Sequence, residues 1–162
     1  MHRRNLLLAP VLATVLLAGC ATPAMQTPTT VAETIARDPQ LSTLNGLVMR
    51  AGLVDTLKAA GPYTVFAPTD AAFQSVPAKT MAELAGDPAM LKAVLTYHVL
   101  PVKVMAAEVK PGNSKTAHGA NVALARAGEF VTVEEAMVEK ADIAATNGVV
   151  HKVDRVLMPP RR

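Results

Sequence analysis

Apolar residues recur at helical spacing through much of the chain between residues 38 and 97. Two of these stretches begin with an Asp-Pro pair, Asp38-Pro39 and Asp87-Pro88. An aspartate caps the free N–H groups at the start of a helix. A proline is suited to the first turn because it has no N–H that would lack a partner there. The apolar positions after the first pair are Leu41, Leu44, Leu47, Val48 and Ala51, with Gly52 placed to end the helix. Shorter helices are predicted over 54–60 and after a capping Thr69.

Short apolar runs typical of strands lie at 63–67, between two prolines, and again from Asn121 onward. The later runs cover 122–124, 130–133, 137–138, Ile143 and 149–158, and they are separated by Gly128, Glu134-Glu135 and Asn147-Gly148. Runs this close in sequence are most readily paired as antiparallel neighbours. Because helices come first and strands later, the pattern indicates an α+β fold.

The first 19 residues have the pattern of an export signal. Arg3 and Arg4 precede an apolar stretch over 6–18, which is shorter than the about 20 residues that a membrane-spanning helix needs. The stretch ends in Leu17-Ala18-Gly19-Cys20, which resembles the lipobox of bacterial lipoproteins. That resemblance implies diacylglyceryl transfer to the Cys20 sulfur, cleavage before Cys20 and acylation of the new amine. Two or more acyl chains anchor a protein stably, whereas one does not.

The predicted organisation has four parts. Residues 1–19 form a lipoprotein signal peptide, 20–30 the lipidated cysteine and a flexible spacer, 31–159 one domain, and 160–162 a basic tail. Cleavage would leave 14 basic residues against 13 acidic ones, so the basic pI of the precursor does not describe the mature protein. A domain with nearly zero net charge has no excess positive charge to attract phosphate backbones. Nucleic acid is therefore not an expected partner. Cys20 is the single cysteine, which excludes a disulfide framework.

Three stretches together resemble a fasciclin (FAS1) domain: 63–73 (YTVFAPTDAAF), 95–101 (LTYHVLP) and 141–159, which contains Asn147-Gly148 and Val149-Val150-His151. The resemblance runs from about residue 31 to residue 159. It implies a wedge-shaped antiparallel β-sandwich with N-terminal helices packed along it, used in the family for adhesion and matrix interaction.

Two positions depart from the family pattern. The pair Glu134-Glu135 stands where an Asn-Gly type turn is common, and neither glutamate reaches positive φ easily, so a longer or bulged connection is expected there. Lys152 stands where the family usually has an aliphatic residue; if its strand lies at an edge or on a sheet face, we expect its stem to be buried and its ammonium exposed.

Six residues are candidates for partner contact. The family's Tyr-His motif has been discussed as an adhesion surface, and it corresponds to Tyr97 and His98; the alternative is a structural role in which His98 hydrogen-bonds to backbone. The stretch that resembles a proposed receptor-binding segment supplies Glu139, Lys140, Asp142 and Ile143. Its alternative role is a loop entering a strand with Ile143 buried.

Catalytic and metal chemistry have no local motif in this chain. Ser75, His98 and Asp70 lack a nucleophile elbow, and His98, His118 and His151 lack helical i, i+4 pairing. We therefore expect no catalytic residues, metal or cofactor, and we expect His118 to be exposed in a polar loop.

The predicted function is a lipid-anchored, non-catalytic adhesion or interaction module of the bacterial cell envelope, with a protein or polysaccharide partner. Ala21 is not the aspartate of an inner-membrane retention signal, which favours the outer membrane. One alternative is a periplasmic carrier of a small apolar ligand, which predicts a sizeable apolar pocket; the other is a hydrolase. The sequence leaves the oligomeric state open.

Overall fold

Seven strands form one sheet in the computed structural model, which describes residues 29–160. In chain order they are β1 Tyr63–Pro68, β2 Val99–Leu100, β3 Gly112–Lys115, β4 Asn121–Ala127, β5 Phe130–Val133, β6 Ala136–Ala145 and β7 Gly148–Val153. Their order across the sheet is β2-β1-β7-β6-β5-β4-β3. The signal peptide, Cys20, most of the predicted spacer and the two terminal arginines lie outside the described residues.

Six α-helices pack along this sheet: α1 Val31–Arg37, α2 Ser42–Arg50, α3 Val54–Lys58, α4 Asp70–Gln74, α5 Ala78–Gly86 and α6 Pro88–Tyr97. The predicted caps at Thr69 and Asp87 are confirmed, since their side chains accept from the Ala72 N–H and from the Ala89 and Met90 N–H groups. Helices α1 and α5 were not predicted. A Thr30–Glu33 capping box begins α1.

The helix predicted after Asp38 begins differently. Asp38 caps a 3-10 turn at Pro39–Leu41, and the α-helix begins only at Ser42. The carboxylate of Asp70, on α4, pairs with free groups at the start of α2: it accepts from Ser42 Oγ at 2.7 Å and from the Thr43 N–H at 2.8 Å. Burial raises the pKa of Asp70, but these hydrogen bonds outweigh it and hold the pKa below its usual value.

The second and third strands of the sheet form the one neighbouring pair that is not antiparallel. Strands β1 and β7 run parallel, from Tyr63 opposite Gly148 to Pro68 opposite Val153, although 79 residues separate their ends. All six β7 residues are buried, as expected for a strand covered on both faces. The α+β prediction is confirmed. The parallel pairing of β1 with β7 was not predicted, because the short strand runs indicated antiparallel neighbours only.

Strand β7 ends at Val153, so the prediction of a strand reaching residue 158 is wrong. Asp154 turns the chain there, because its carboxylate accepts from the Met137 N–H at 2.7 Å and its own N–H donates to the Met137 carbonyl. The following segment lies against the helices and not in the sheet.

Lys152 also contradicts the expectation from sequence. It lies on the interior strand β7, and its ammonium is 2.5 Å from Asp38 Oδ2 and donates to Gln40 Oε1 at 2.9 Å. The Lys152 side chain is 7% exposed. The ammonium is therefore buried as half of an ion pair because β7 has neighbours on both sides and the turn after α1 covers it.

The β5–β6 connection is short, so the expected longer or bulged turn is wrong. Val133 pairs with Ala136, which leaves Glu134 and Glu135 as a two-residue loop. Glu134 adopts a φ of 55°, a region that glutamate enters only at a cost in free energy. Its N–H donates to Ala123 and its carboxylate accepts from Tyr97, and these two contacts hold the turn.

Asn147, in the β6–β7 turn, makes hydrogen bonds to three other elements: α3, α1 and β1. Its side-chain N–H groups donate to Leu57 and Ala59 at the end of α3, and its Oδ1 accepts from the Val31 N–H at the start of α1. Its carbonyl accepts from Tyr63 N at the start of β1. Thr29 also belongs to this region, because its carbonyl accepts from the Thr146 N–H. The last two residues of the predicted spacer are thus bound to the domain.

Candidate functional site

Tyr97 ends α6 inside the protein, with 1% of its surface exposed. Its phenol donates to Glu134 Oε1 at 2.6 Å, and the Asn121 carbonyl lies 3.0 Å from the same oxygen. Burial and the neighbouring carboxylate both raise the pKa of this phenol. Tyr97 thereby fastens the helix to the strained β5–β6 turn.

His98 follows directly and is 2% exposed. Its Nδ1 lies 2.8 Å from the Val94 carbonyl, and its Nε2 accepts from the Leu157 N–H at 2.9 Å. An acceptor at Nε2 and a donor at Nδ1 describe the neutral ring with its proton on Nδ1. Burial lowers the pKa of His98 to about 4, although the hydrogen bond to Val94 opposes the change. The geometry supports the structural role that the sequence offered as the alternative.

The other four candidates lie within strand β6. Glu139, Lys140 and Asp142 are exposed, whereas Ile143 is partly buried and packs against the apolar cluster under the helices. The segment is therefore not a loop entering a strand. Its pairing with β7 is irregular between Val138 and Lys140 and again between Lys140 and Ile143. We call Glu139, Lys140 and Asp142 the β6 surface; whether they contact a partner stays a prediction.

A histidine from the neighbouring strand holds the β6 surface in shape. Asp142 has a φ of 56°; its N–H donates to His151 Nδ1 at 3.1 Å and its Oδ1 accepts from the Ala106 N–H at 2.8 Å. His151 Nε2 in turn lies 2.9 Å from the Val104 carbonyl. Burial lowers the pKa of His151, opposed by the Val104 carbonyl and the Asp142 carboxylate. An exposed irregular strand is thus fixed by a buried neutral imidazole.

Sequence reasoning did not connect His151 with this surface, although the signal was present. Ala145 pairs with Gly148, Ala144 with Val149 and Ile143 with Val150. Counting one step further from the Asn147-Gly148 turn places Asp142 beside His151. The strained backbone that turns the Asp142 N–H toward the ring has no counterpart in the sequence pattern.

The residues that could be combined into a triad do not meet. Both ring nitrogens of His98 are engaged by backbone groups, Asp70 is engaged by the start of α2, and Ser75 Oγ donates to the Ala71 carbonyl. Among residues 29–160, no group of three or more His, Cys, Asp or Glu side chains is arranged to hold a metal ion. Over the same range no helix has the length and apolarity to cross a membrane.

Two cavities bear on ligand binding. An apolar cavity of about 50 Å³ lies beneath the helices, lined by residues that include Leu44, Leu57 and Val99. This volume is far below the roughly 300–1,000 Å³ of small-molecule sites. A second, open groove of about 1550 Å³ lies between α4–α6 and the segment after β7. Within residues 29–160, the surface groove has room for a ligand, whereas this apolar cavity is too small for one.

The Fasciclin domain family matches residues 39–159, which include the Tyr-His pair, the β6 surface and the Asn147 turn. This chain belongs to the fasciclin family. The expected resemblance is confirmed, and so is the fold. A solved FAS1 domain pair from the insect cell adhesion molecule Fasciclin I superposes with a TM-score of 0.64 at 18% identity, covering 81% of this chain and 51% of that one. The chain thus spans about half the length of that domain pair.

Curated bacterial proteins are similar to this fasciclin domain over most of its length. Protein sll1483 of Synechocystis sp. is 41% identical over 133 residues, covering 81% of this chain and 74% of its own. The immunogenic protein MPB70 of Mycobacterium bovis is 38% identical, covering 80% and 69%. The cell surface glycolipoprotein MPB83 of the same species is 35% identical over 158 residues, covering 88% and 71%.

Proposed function

We propose that this fasciclin protein is a non-catalytic interaction module, held by lipid on Cys20 at the bacterial cell envelope, with the outer membrane as the favoured membrane. The observation that carries the proposal is its similarity across 88% of the chain to a cell surface glycolipoprotein. The Leu17-Ala18-Gly19-Cys20 sequence and the engaged state of both His98 nitrogens support it. The proposed partner is a protein or a polysaccharide that meets the outside of the domain.

The tether would leave the domain at a defined end. Thr29 and Thr30 are held beside the β6–β7 turn by Thr146 and by the α1 capping box. Eight residues, 21–28, then separate Thr29 from Cys20. Fully extended, the nine Cα-to-Cα steps from Cys20 to Thr29 span at most about 32 Å. The lipid would therefore keep the β6–β7 turn within that distance of the membrane.

The β6 surface is the proposed contact site because it combines exposure with rigidity. Glu139, Lys140 and Asp142 are exposed, yet the Asp142 backbone is fixed by His151 and by Ala106. A surface fixed before binding loses less conformational freedom on association than a mobile loop does. Charges of both signs within four positions favour a partner of complementary pattern.

Replacing Cys20 by Ser is expected to move the protein from the membrane fraction to the soluble fraction, since the serine cannot receive the thioether-linked diacylglyceryl group. Cell fractionation measures this, with Ser75→Ala as a control that leaves the anchor intact. A Cys20→Ser variant that still sediments with membranes would overturn lipid anchoring. Intact folding of the released protein, checked by its thermal midpoint, keeps the result interpretable.

Replacing Glu139 and Lys140 together by Ala is expected to reduce partner contact at least about fivefold with little change in thermal midpoint, because both side chains are exposed. Proximity labelling from the anchored protein in intact cells measures it, beside a soluble version starting at Ala21. An Asp55→Ala/Lys58→Ala variant on α3, also one exposed acid and one exposed base, is the control. Unchanged labelling by the Glu139/Lys140 variant would remove the β6 surface from the proposal.

A further inference from the structure

The open groove on the helical side is a second surface whose shape favours a chain-like ligand. We call it the helical groove; its walls are α4–α6 on one side and Asp154–Pro160 on the other, with His118 between them. Its volume of about 1550 Å³ exceeds that of ordinary small-molecule sites. None of the β6 surface residues lines it. The helical groove can therefore be tested apart from the β6 surface.

The charged residues in its lining have an acidic excess. Glu83, Asp87 and Asp154 contribute three carboxylates, and Arg155 contributes one guanidinium. Asp87 Oδ1 caps α6 and Asp154 Oδ1 accepts from Met137, so each retains a second oxygen. The Arg155 side chain is 61% exposed, and its guanidinium lies 3.8 Å from the carboxylate of Glu135, a residue that does not line the groove. A concave surface with this balance attracts cationic groups.

The apolar part of the lining favours a peptide over a sugar. Met90, Met158 and Val156 are partly buried along the walls, and Pro159 follows them. Methionine is flexible and adapts to different side chains, which suits a surface that receives peptides. No Phe, Tyr or Trp lines the groove, and flat aromatic rings are the usual partners of sugar faces.

His118 adds an unsatisfied polar group to the lining. It is partly buried, which corrects the expectation of an exposed loop residue, and its ring packs edge-on to Tyr97 with centroids 6.2 Å apart. Its Nδ1 is buried without a hydrogen-bond partner. Leaving such an atom unpaired costs free energy.

We propose that the helical groove binds an extended peptide segment that carries Lys or Arg, supplied by a protein partner. The proposal rests on the proposed function, since it gives the interaction module a partner chemistry. Basic side chains would lie against Glu83 and Asp87, and the peptide's apolar side chains against Met90 and Met158. Binding at the groove requires neither the membrane nor the β6 surface, so it can fail or succeed independently of them.

The test uses the full lipidated protein in nonionic detergent and two fluorescent octapeptides, one alternating Lys with Ala and one alternating Glu with Ala. Fluorescence anisotropy should show saturable binding of the lysine peptide alone. A Glu83→Gln/Asp87→Asn variant should weaken it about fivefold, since it removes two of the three carboxylates that would pair with the basic side chains of the peptide. Asparagine caps helices as well as aspartate does, so α6 should remain intact.

A variant with Asp55→Asn and Glu108→Gln is the matched control, because it changes net charge equally at exposed carboxylates outside the groove lining. Equal weakening by both variants, or equal binding of both octapeptides, would overturn the groove proposal. Binding of a neutral oligosaccharide by a protein that binds neither octapeptide would overturn it as well. Loss of groove binding with β6-dependent labelling unchanged leaves the proposed function standing. Intact groove binding without labelling of an envelope partner would contradict the proposed function and leave the groove proposal standing.

Discussion

Replacing Asp38 by Asn is expected to lower the free energy of unfolding by about 3 kcal/mol, because the Lys152 ammonium would then be buried without its counter-ion. The pair is short and both side chains are largely buried, at 7% and 19% exposure. Burial raises the pKa of Asp38, but the hydrogen bonds from Lys152 and the Gln40 N–H lower it by more, so the pKa lies below its usual value. Asparagine preserves the cap on the 3-10 turn, so the loss reports the charge. Chemical denaturation measures it.

Combining Asp38→Asn with Lys152→Met should recover most of that loss, to within about 1 kcal/mol of the original protein, since methionine is close to lysine in volume and carries no charge that needs a counter-ion. The two single variants and the double variant form a cycle that isolates the coupling between the side chains. A coupling near zero would mean that Gln40 alone satisfies the ammonium. A double variant as unstable as Asp38→Asn would show that the loss comes from the turn.

Acidification from pH 7 to pH 4 is expected to cost about 3 kcal/mol of stability through His98 alone. The folded protein holds this ring neutral, with a pKa of about 4 against about 6.5 in the unfolded chain. Between these values the unfolded chain binds the extra proton, so stability is full above pH 6.5 and falls as pH drops toward 4. His151 acts in the same direction because burial lowers its pKa as well.

The pH dependence of His98 can be separated from its hydrogen bonds. A His98→Gln variant should be less stable than the original at pH 7 by about 2 kcal/mol, since one ring nitrogen loses its backbone partner. Its stability should then fall less steeply between pH 6.5 and pH 4. Denaturation curves at several pH values test both statements. A variant that keeps the full slope would assign the acid sensitivity to other groups.

Acidic residues contribute in a different pH window. The pKa of Asp38 is lowered in the folded state, and so is that of Asp70. Their contribution is present above the ordinary pKa of a free aspartate, near 4, and is lost as pH falls below it. A two-step loss of stability, first through the histidines and then through the carboxylates, is therefore expected.

Local signals predicted much of the fold. The Asp87-Pro88 helix start, the Thr69 cap, the strand between Pro62 and Pro68 and the Asn147-Gly148 hairpin depend on residues near one another in sequence. Capping and turn chemistry act over a few residues, so their patterns are legible without coordinates. Helix α5 was missed because no side chain caps its start at Pro77.

The candidate site was predicted less completely. The sequence placed Tyr97 and His98 at the junction of a helix and a strand, and it offered the backbone-bonded role of His98 beside the adhesive one. It did not indicate that Glu134 would turn at positive φ to accept from Tyr97, or that His151 would hold Asp142. Each of these contacts joins residues whose proximity depends on strand register.

The sequence by itself determined the near-neutral charge of the domain, its α+β class and its family, because composition, caps and motifs are local properties of the chain. Only the tertiary structure decided the rest. It paired β1 with β7 in parallel, buried the Lys152 ammonium against Asp38, and brought three helices and the segment after β7 around one groove. These features depend on contacts between distant residues, and such contacts exist only once the whole domain has packed.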